Sequence, residues 1–310
     1  MAEKIKLTFL GTGSAIPTAR RNHPAMYLQY KNENILIDCG EGTQRQFRKA
    51  KLSPCKINKI LITHWHGDHV LGLPGLIQTL DLSNCEGELI IYGPKGSKEN
   101  FKNLLAPHLG FYWEVSRVNG NKLNIVVKEI DEGKVFETED FIIDSKKVEH
   151  GCPALAYSFT VKEKKRLDKE KLKKLKIPNS PLLGELAKGK IVEIKGKKID
   201  GKRLIYTESA KKITFVMDTK MNDNAIEISK NSDLLVCEST YSKEEKEIAE
   251  KHGHLTSIQS ATIAKKAKVK KLILTHLSQR YDEIPKVIVN EAKEIFQNVS
   301  SVEDLDKVEI

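Results

Sequence analysis

The chain has 310 residues, 39% of them hydrophobic, and a formal net charge of +10. That length lets one sizeable domain or two small ones bury a substantial core, and no run approaches 18 consecutive apolar residues, so a membrane span and wholesale disorder are both excluded. The positive charge favours acidic partners such as nucleic acid, although many lysine-rich proteins carry similar charge without binding RNA.

The first strand candidate is "KIKLTFLG". Its apolar run is too short for the core of a secretory signal, which places the expected location in the cytoplasm. A loop ending in the basic stretch "PTARRN" (residues 17–22) follows, then the strand candidates "NILIDCG" and "KILITH". The latter runs straight into His64, His66, Asp68 and His69. "ELIIYG" and "KLNIVVKEI" continue the series, and His150 stands in "VEHGCPALAY" just ahead of "ALAYSFTV".

From about residue 162 to 203 the composition changes. Residues 162–176 hold nine Lys or Arg against three acids, and a Gly- and Pro-containing stretch follows. The segment reads either as a solvated lysine-rich helix and loop or as a protruding arm that grips phosphates. Beyond it come "RLIYTE", "KITFVMDT" with Asp218 at its end, and "LLVCEST". Residues 250–269 then read as one helix, with Thr256 and Gln259 as a capping box and Ile258, Ala261 and Ala264 on one stripe. "KLILTH" ends at His276. Short β-branched runs alternating with helical patterns predict an α/β or layered α+β fold. The match between "KILITH" and "KLILTH" points to two similar halves that bring ligands to a shared seam.

Imidazole nitrogens with carboxylate oxygens suit zinc or, less selectively, manganese, iron or cobalt. Four ligands from one loop exceed what one catalytic metal takes while keeping a position open for water, so two metals fit better. Such a pair makes water nucleophilic near neutral pH and stabilises the attacking and leaving oxygens of an in-line displacement at phosphorus. Asp68 can orient that water or accept its proton. Gly67 is expected to supply backbone freedom where the ligands crowd, and Trp65 to serve packing. The five cysteines are odd in number, scattered and without a CxxC pair, and read as buried reduced thiols.

"THWHGDH" resembles the HxHxDH signature of the metallo-β-lactamase superfamily, whose fold is a four-layered αββα sandwich of two similar halves. The resemblance implies that His64, His66 and His150 hold one metal, that Asp68, His69 and His276 hold the other, and that Asp218 bridges them. Standing alone, His150 would be a loop histidine and Asp218 a turn or capping carboxylate. Their order and strand-end placement are what match the superfamily.

Over essentially its full length the chain is similar to the short-form ribonuclease Z family, endonucleases that remove 3′ trailers from precursor tRNA. "PTARRN" resembles that family's PxKxRN motif, with Ala19 in place of the lysine; "CEST" (237–240) resembles its HEAT motif and "HLT" (254–256) its HST motif. The resemblance implies a proton relay of Glu238 and His254, although alone Glu238 is equally a strand-end residue and Thr256 a helix cap. The arm tip "IPNSPLLGELAKGK" keeps the family's Pro181, Gly184, Leu186 and Gly189, with Ser180 replacing its first glycine. By the same resemblance Arg20, Arg21 and Asn22 of the loop, and Lys164, Lys165, Arg166, Gly184 and Lys188 of the arm, bind the substrate. A single domain over residues 1–310 with two zinc ions, or manganese or another divalent metal, is implied, as is a homodimer acting on precursor tRNA. The alternative is another hydrolase of the superfamily, acting on small phosphodiesters or sulfate esters.

Overall fold

The computed structural model describes residues 3–118, 123–194 and 196–310. Met1 and Ala2 of the N-terminal run, Lys122 at the head of "KLNIVVKEI" and Lys195 of the arm lie outside the described residues. The first half of the chain builds β1 (Lys6–Gly11), β2 (Ala25–Tyr30), β3 (Glu33–Ile37), β4 (Lys59–Leu61), β5 (Gly87–Gly93) and β6 (Leu123–Glu129). Its connections carry α1 (Thr43–Lys49), α2 (Gly67–Val70), α3 (Leu73–Leu82) and α4 (Ser97–Val118). β7 (Gly133–Glu137), β8 (Phe141–Val148) and β9 (Ala154–Val161) open the second half. β14 (Lys211–Val216), α7 (Asp223–Ser229), β15 (Leu234–Glu238), α8 (Lys246–His252), α9 (Ser257–Lys266), β16 (Leu272–Thr275), α10 (Lys286–Lys293) and β17 (Val299–Ser301) complete it. β18 (Lys307–Glu309) returns to pair antiparallel with β1. The numbers β10 to β13 belong to the arm: β10 (Lys164–Leu167), β11 (Ile191–Ile194), β12 (Lys197–Asp200) and β13 (Ile205–Glu208), with α5 (Lys169–Lys174) and α6 (Leu182–Ala187).

Among the described residues two seven-stranded sheets result, ordered β18-β1-β2-β3-β4-β5-β6 and β17-β16-β15-β14-β9-β8-β7. Each is antiparallel at one side and parallel at the other, with β3 to β6 parallel in the first and β14 to β17 parallel in the second. β4 and β16, the strands of the two matching hexapeptides, both sit between parallel neighbours. One core lies between the sheets, where Leu7, Phe9, Leu28 and Ile37 meet Phe141, Tyr157, Phe215 and Ile273. A second packs α1, α3 and α4 on the first sheet, and a third packs α7, α9 and α10 on the other. The layers are therefore αββα, as expected. Among the described residues no helix is long and apolar enough to cross a membrane.

Residues 250–269 depart from the sequence expectation. They form two helices, α8 and α9, separated by Gly253 to Thr256. The capping box of Thr256 and Gln259 is present, but it starts α9 and does not sit inside a longer helix. Gly253, at φ +75, ends α8, and a Cβ there would stand 2.9 Å from His150 Nδ1. The break thus turns His254 out of helix and toward the seam.

The cysteine reading is corrected at one pair: Cys55 and Cys85 are joined by a disulfide, with Cα atoms 5.3 Å apart, while Cys39, Cys152 and Cys237 are free. The bridge closes the segment that contains β4 and all four clustered ligands. A separation of 30 residues is not a spacing that signals pairing in sequence.

The segment around 162–203 stands outside both large sheets. β10 pairs antiparallel with β13 as its stem and β11 with β12 as a hairpin. The Asp168 N–H donates to the Leu204 carbonyl at 2.7 Å, so the ends of the insertion lie side by side.

Candidate metal centre

Ligand-type side chains gather at the carboxyl ends of the parallel strands, the usual place for a site in such sheets. Asp38 follows β3; His64, His66, Asp68 and His69 follow β4 and enter α2; Asp218 follows β14; Glu238 ends β15; and His276 follows β16. His150 follows β8. Asp38 and His276 both sit at φ +57, a left-handed bend that turns each side chain off the strand direction. Gly67 does not play the part expected of it, since it lies within α2 and shows no left-handed φ. The close approach occurs at Gly40 instead, where a Cβ would stand 2.4 Å from the Asp68 carbonyl oxygen. Trp65 packs on the outer core and donates its indole N–H to Ser97 Oγ at 2.7 Å.

Two ligand groups share Asp218: His64, His66 and His150 on one side, and Asp68, His69 and His276 on the other. Asp218 Oδ2 lies 3.6 Å from His64 Nε2 and 3.9 Å from His150 Nε2. Its Oδ1 lies 3.3 Å from His69 Nε2 and 3.2 Å from His276 Nε2. Asp68 Oδ2 completes the second group, 3.5 Å from His69 Nε2 and 3.4 Å from His276 Nε2.

The far nitrogens of these rings are tied down. His69 Nδ1 donates to Asp38 Oδ2 at 2.8 Å and His150 Nδ1 to the Gly253 carbonyl at 2.9 Å. Thr240 Oγ1 gives its proton to Glu238 Oε2 at 2.6 Å, so at 3.0 Å it accepts from His276 Nδ1. Protons held at Nδ1 leave the Nε2 lone pairs of His69 and His276 facing each other at 3.3 Å. Only a proton or a cation relieves such a contact. His64 Nε2 and Asp218 Oδ1 are moreover buried with no hydrogen-bond partner, a state that costs free energy unless something occupies the gap. The donor set, its tautomers and its orphaned atoms all fit divalent ions with nitrogen and oxygen preference.

Electrostatics agree. Burial opposes the charge on Asp218, yet the rings of His276, His69, His254 and His64 hold its carboxyl well below the usual carboxylate range. Burial likewise pushes Asp68 up, and the hydrogen bond with His276 and the neighbouring His69 ring outweigh it and hold the group below its ordinary range. Burial pulls His69 down, but Asp218 and Asp38 keep it well above the histidine range. His64, facing burial first and His69 next, is held low. Without an ion, Asp218 and Asp38 draw a proton onto the His69 ring; the same field attracts cations.

Glu238 and His254 come together as a second unit beside the ligands. Glu238 is fully buried, accepts the Thr219 N–H at 2.8 Å, and lies 3.2 Å from His254 Nδ1. Burial lowers the His254 ring, Glu238 and Asp218 raise it, and the balance stands at about 9.

The loop and arm residues divide. Arg20 is exposed and pairs with Glu283 at 3.0 Å. Arg21, expected on the substrate, is corrected: its guanidinium is buried, donating to Thr12 Oγ1 and the Val302 carbonyl at 2.7 Å each. Asn22 donates its side-chain amide to the Glu41 carbonyl at 2.7 Å. In the arm, Lys164 pairs with Asp140, Arg166 with Glu208 and Lys188 with Glu185, while Lys165 is exposed and Gly184 lies in α6 with open space beside it. Lys174, Lys176, Lys197, Lys198 and Arg203 line a cavity of about 580 Å³ between α5 and the β11–β12 hairpin, a basic face that the sequence reading did not single out. Asp38 and Thr240, which orient two ligand rings, were also missed, although "LIDCG" and "CEST" each place a polar group where a strand ends.

Residues 5–169 match the family model described as anti-Pycsar protein Apyc1, a span that stops short of Asp218, Glu238, His254 and His276. Similarity to individual proteins runs further. A ribonuclease Z of Methanosarcina acetivorans is 36% identical over 99% of this chain and 98% of its own. The crystal structure of human tRNase Z, short form, superposes with a TM-score of 0.66 at 27% identity, covering 98% of each chain. The metallo-β-lactamase-fold protein YhfI of Bacillus subtilis, at 19% identity, covers 100% of both chains with a TM-score of 0.71. The fold is thus that of the metallo-β-lactamases.

Proposed function

The chain belongs to the ribonuclease Z family, its residues 5–169 falling also within the Apyc1 family model, and on that premise we propose that this metal-dependent endoribonuclease trims precursor tRNA at its 3′ trailer. The observation that carries the reading is the pair of ligand groups sharing Asp218, with Glu238 and His254 beside them. Two zinc ions, or manganese in their place, would be held by His64, His66 and His150 and by Asp68, His69 and His276, with Asp218 common to both. Such ions, when bound, make water nucleophilic near neutral pH and stabilise oxygens that gain charge at phosphorus.

The protein's own groups do the rest. Asp68, with a depressed pKa, orients the attacking water as a hydrogen-bond acceptor more than it takes the proton. The water oxygen bonds to phosphorus as it gives up one proton to solvent past Asp68, the bond from phosphorus to the 3′ oxygen breaks with its electron pair staying on that oxygen, and His254 protonates it and regains a proton from solvent. The tRNA leaves with a 3′ hydroxyl and the trailer with a 5′ phosphate. Glu238 holds the His254 ring through Nδ1 and keeps it charged, which suits a general acid. Arg20, Asn22 and the arm, through Lys165 and the basic cavity, grip the RNA through phosphates and shape, with no sequence readout. The protein acts in the cytoplasm as a homodimer, one subunit's arm serving its partner's site. Small phosphodiesters or sulfate esters as the natural substrates would leave the arm without use.

Asp218→Ala and His66→Ala test this reading. Cleavage of a trailer-bearing tRNA is expected to fall to background in both, while gel-shift binding, which depends on Lys and Arg, stays close to wild type. Cleavage persisting in metal-stripped Asp218→Ala protein would contradict it.

A further inference from the structure

One half-buried carboxylate near the C-terminus gathers three donors from two distant segments, the loop of residues 12–23 and α1. Asp304 accepts Thr12 Oγ1 at 2.8 Å, the Asn22 N–H at 2.8 Å and Gln46 Nε2 at 2.7 Å. The segment these bonds pin, residues 12–23, is closed by the Gly13 N–H on the Asn22 carbonyl at 3.0 Å. It is also stitched to the residue after His276: the Ser14 N–H donates to the Leu277 carbonyl at 3.0 Å, and the Leu277 N–H to the Thr12 carbonyl at 3.1 Å.

At the tip of this loop Ala15 is exposed yet held at φ +44. A non-glycine residue stays in that left-handed region only where its surroundings over-determine it. The Ala15 carbonyl accepts from His23 Nε2 at 3.0 Å, and its N–H donates to Asp68 Oδ2, also at 3.0 Å. That oxygen is the one facing His69 and His276. One of its lone pairs is therefore spent on Ala15, and the other is left pointing into the ligand group.

We propose that Asp304 is a positioning residue of the metal centre: through Thr12 and Asn22 it holds the loop whose Ala15 N–H fixes Asp68 toward His69 and His276. The inference rests on the metal reading above. Asp304→Asn leaves one oxygen for three donors at nearly constant shape.

The test titrates zinc alone into stripped protein against a chelating dye and follows amide hydrogen exchange at Ala15. In Asp304→Asn, zinc affinity at one site is expected to fall about 10- to 100-fold, as for other residues that orient metal ligands, with faster exchange at Ala15. kcat at limiting zinc should fall and recover at saturating zinc. Unchanged zinc affinity, even with a lowered Tm, would overturn the proposal. Should Asp304→Asn not fold, Thr12→Val removes the hydroxyl that joins Asp304 to the loop, and with it an acceptor of the buried Arg21 guanidinium, and is read by zinc affinity and Ala15 exchange in the same way. Wild-type protein that takes up no zinc would overturn the metal reading itself and this inference with it.

Discussion

His254 stands 3.2 Å from Glu238 Oε1 and 3.8 Å from Asp218 Oδ2, close enough to both carboxylates to stay protonated at neutral pH. If its task is to protonate a departing 3′ oxygen, its value depends on how much help the leaving group needs. His254→Ala should then lower cleavage of precursor tRNA by about 10²- to 10⁴-fold. Hydrolysis of bis-nitrophenyl phosphate, whose leaving group departs unaided, should change little. Equal losses on both substrates would remove His254 from the role of acid. Part of this chemistry was legible in the sequence, because ligands crowded as His-x-His-x-Asp-His are hard to produce by composition. What was hidden depends on hydrogen bonds between remote positions: Asp38 on His69, Thr240 between Glu238 and His276, and Ala15 on Asp68. Arg21 misled for the same reason, since nothing in "ARRN" says which arginine turns inward to meet Val302.

Among the elements, the break between α8 and α9 matters most to the site. Periodicity joined residues 250–269 into one helix because Gly253 interrupts the pattern without ending it, and only the left-handed turn there shows where α8 stops. The insertion was legible as a change of composition, but not as an α5–α6 pair with its own hairpin on a β10–β13 stem. Several of its expected RNA-binding residues are spent on local ion pairs, and exposed pairs of that kind contribute little to stability. Because Asp168 and Leu204 are hydrogen-bonded, residues 169–203 can be replaced by a short turn with the stem intact. That variant should bind precursor tRNA more weakly and with a shallower salt dependence, by about one unit of slope for each phosphate the arm would have neutralised, and turn over small diesters at the wild-type rate. Unchanged tRNA affinity would leave the arm without a role in binding.

For the whole molecule, two sheets of seven strands bring the ends of β4 and β16 to one seam, which the likeness of "KILITH" and "KLILTH" foreshadowed. β2, β7 and β8 were not foreseen, since "AMYLQY", "GKVFE" and "FIIDSKKV" become strands through their neighbours and lack a strong pattern of their own. If the arm of one subunit serves the site of its partner, mixing arm-replaced subunits with Asp218→Ala subunits should restore about a quarter of wild-type activity, since half of the dimers formed at random carry one complete site of two. No recovery would place arm and site in the same subunit.

Incubating the zinc-loaded protein with a trailer-bearing tRNA, mapping the cut and identifying both new ends separates cleavage at the trailer from every other reaction this metal centre could carry out. A single cut beside the discriminator base, with a 3′ hydroxyl on the tRNA and a 5′ phosphate on the trailer, is predicted. A cut elsewhere, or a 2′,3′-cyclic phosphate on the tRNA, would contradict it.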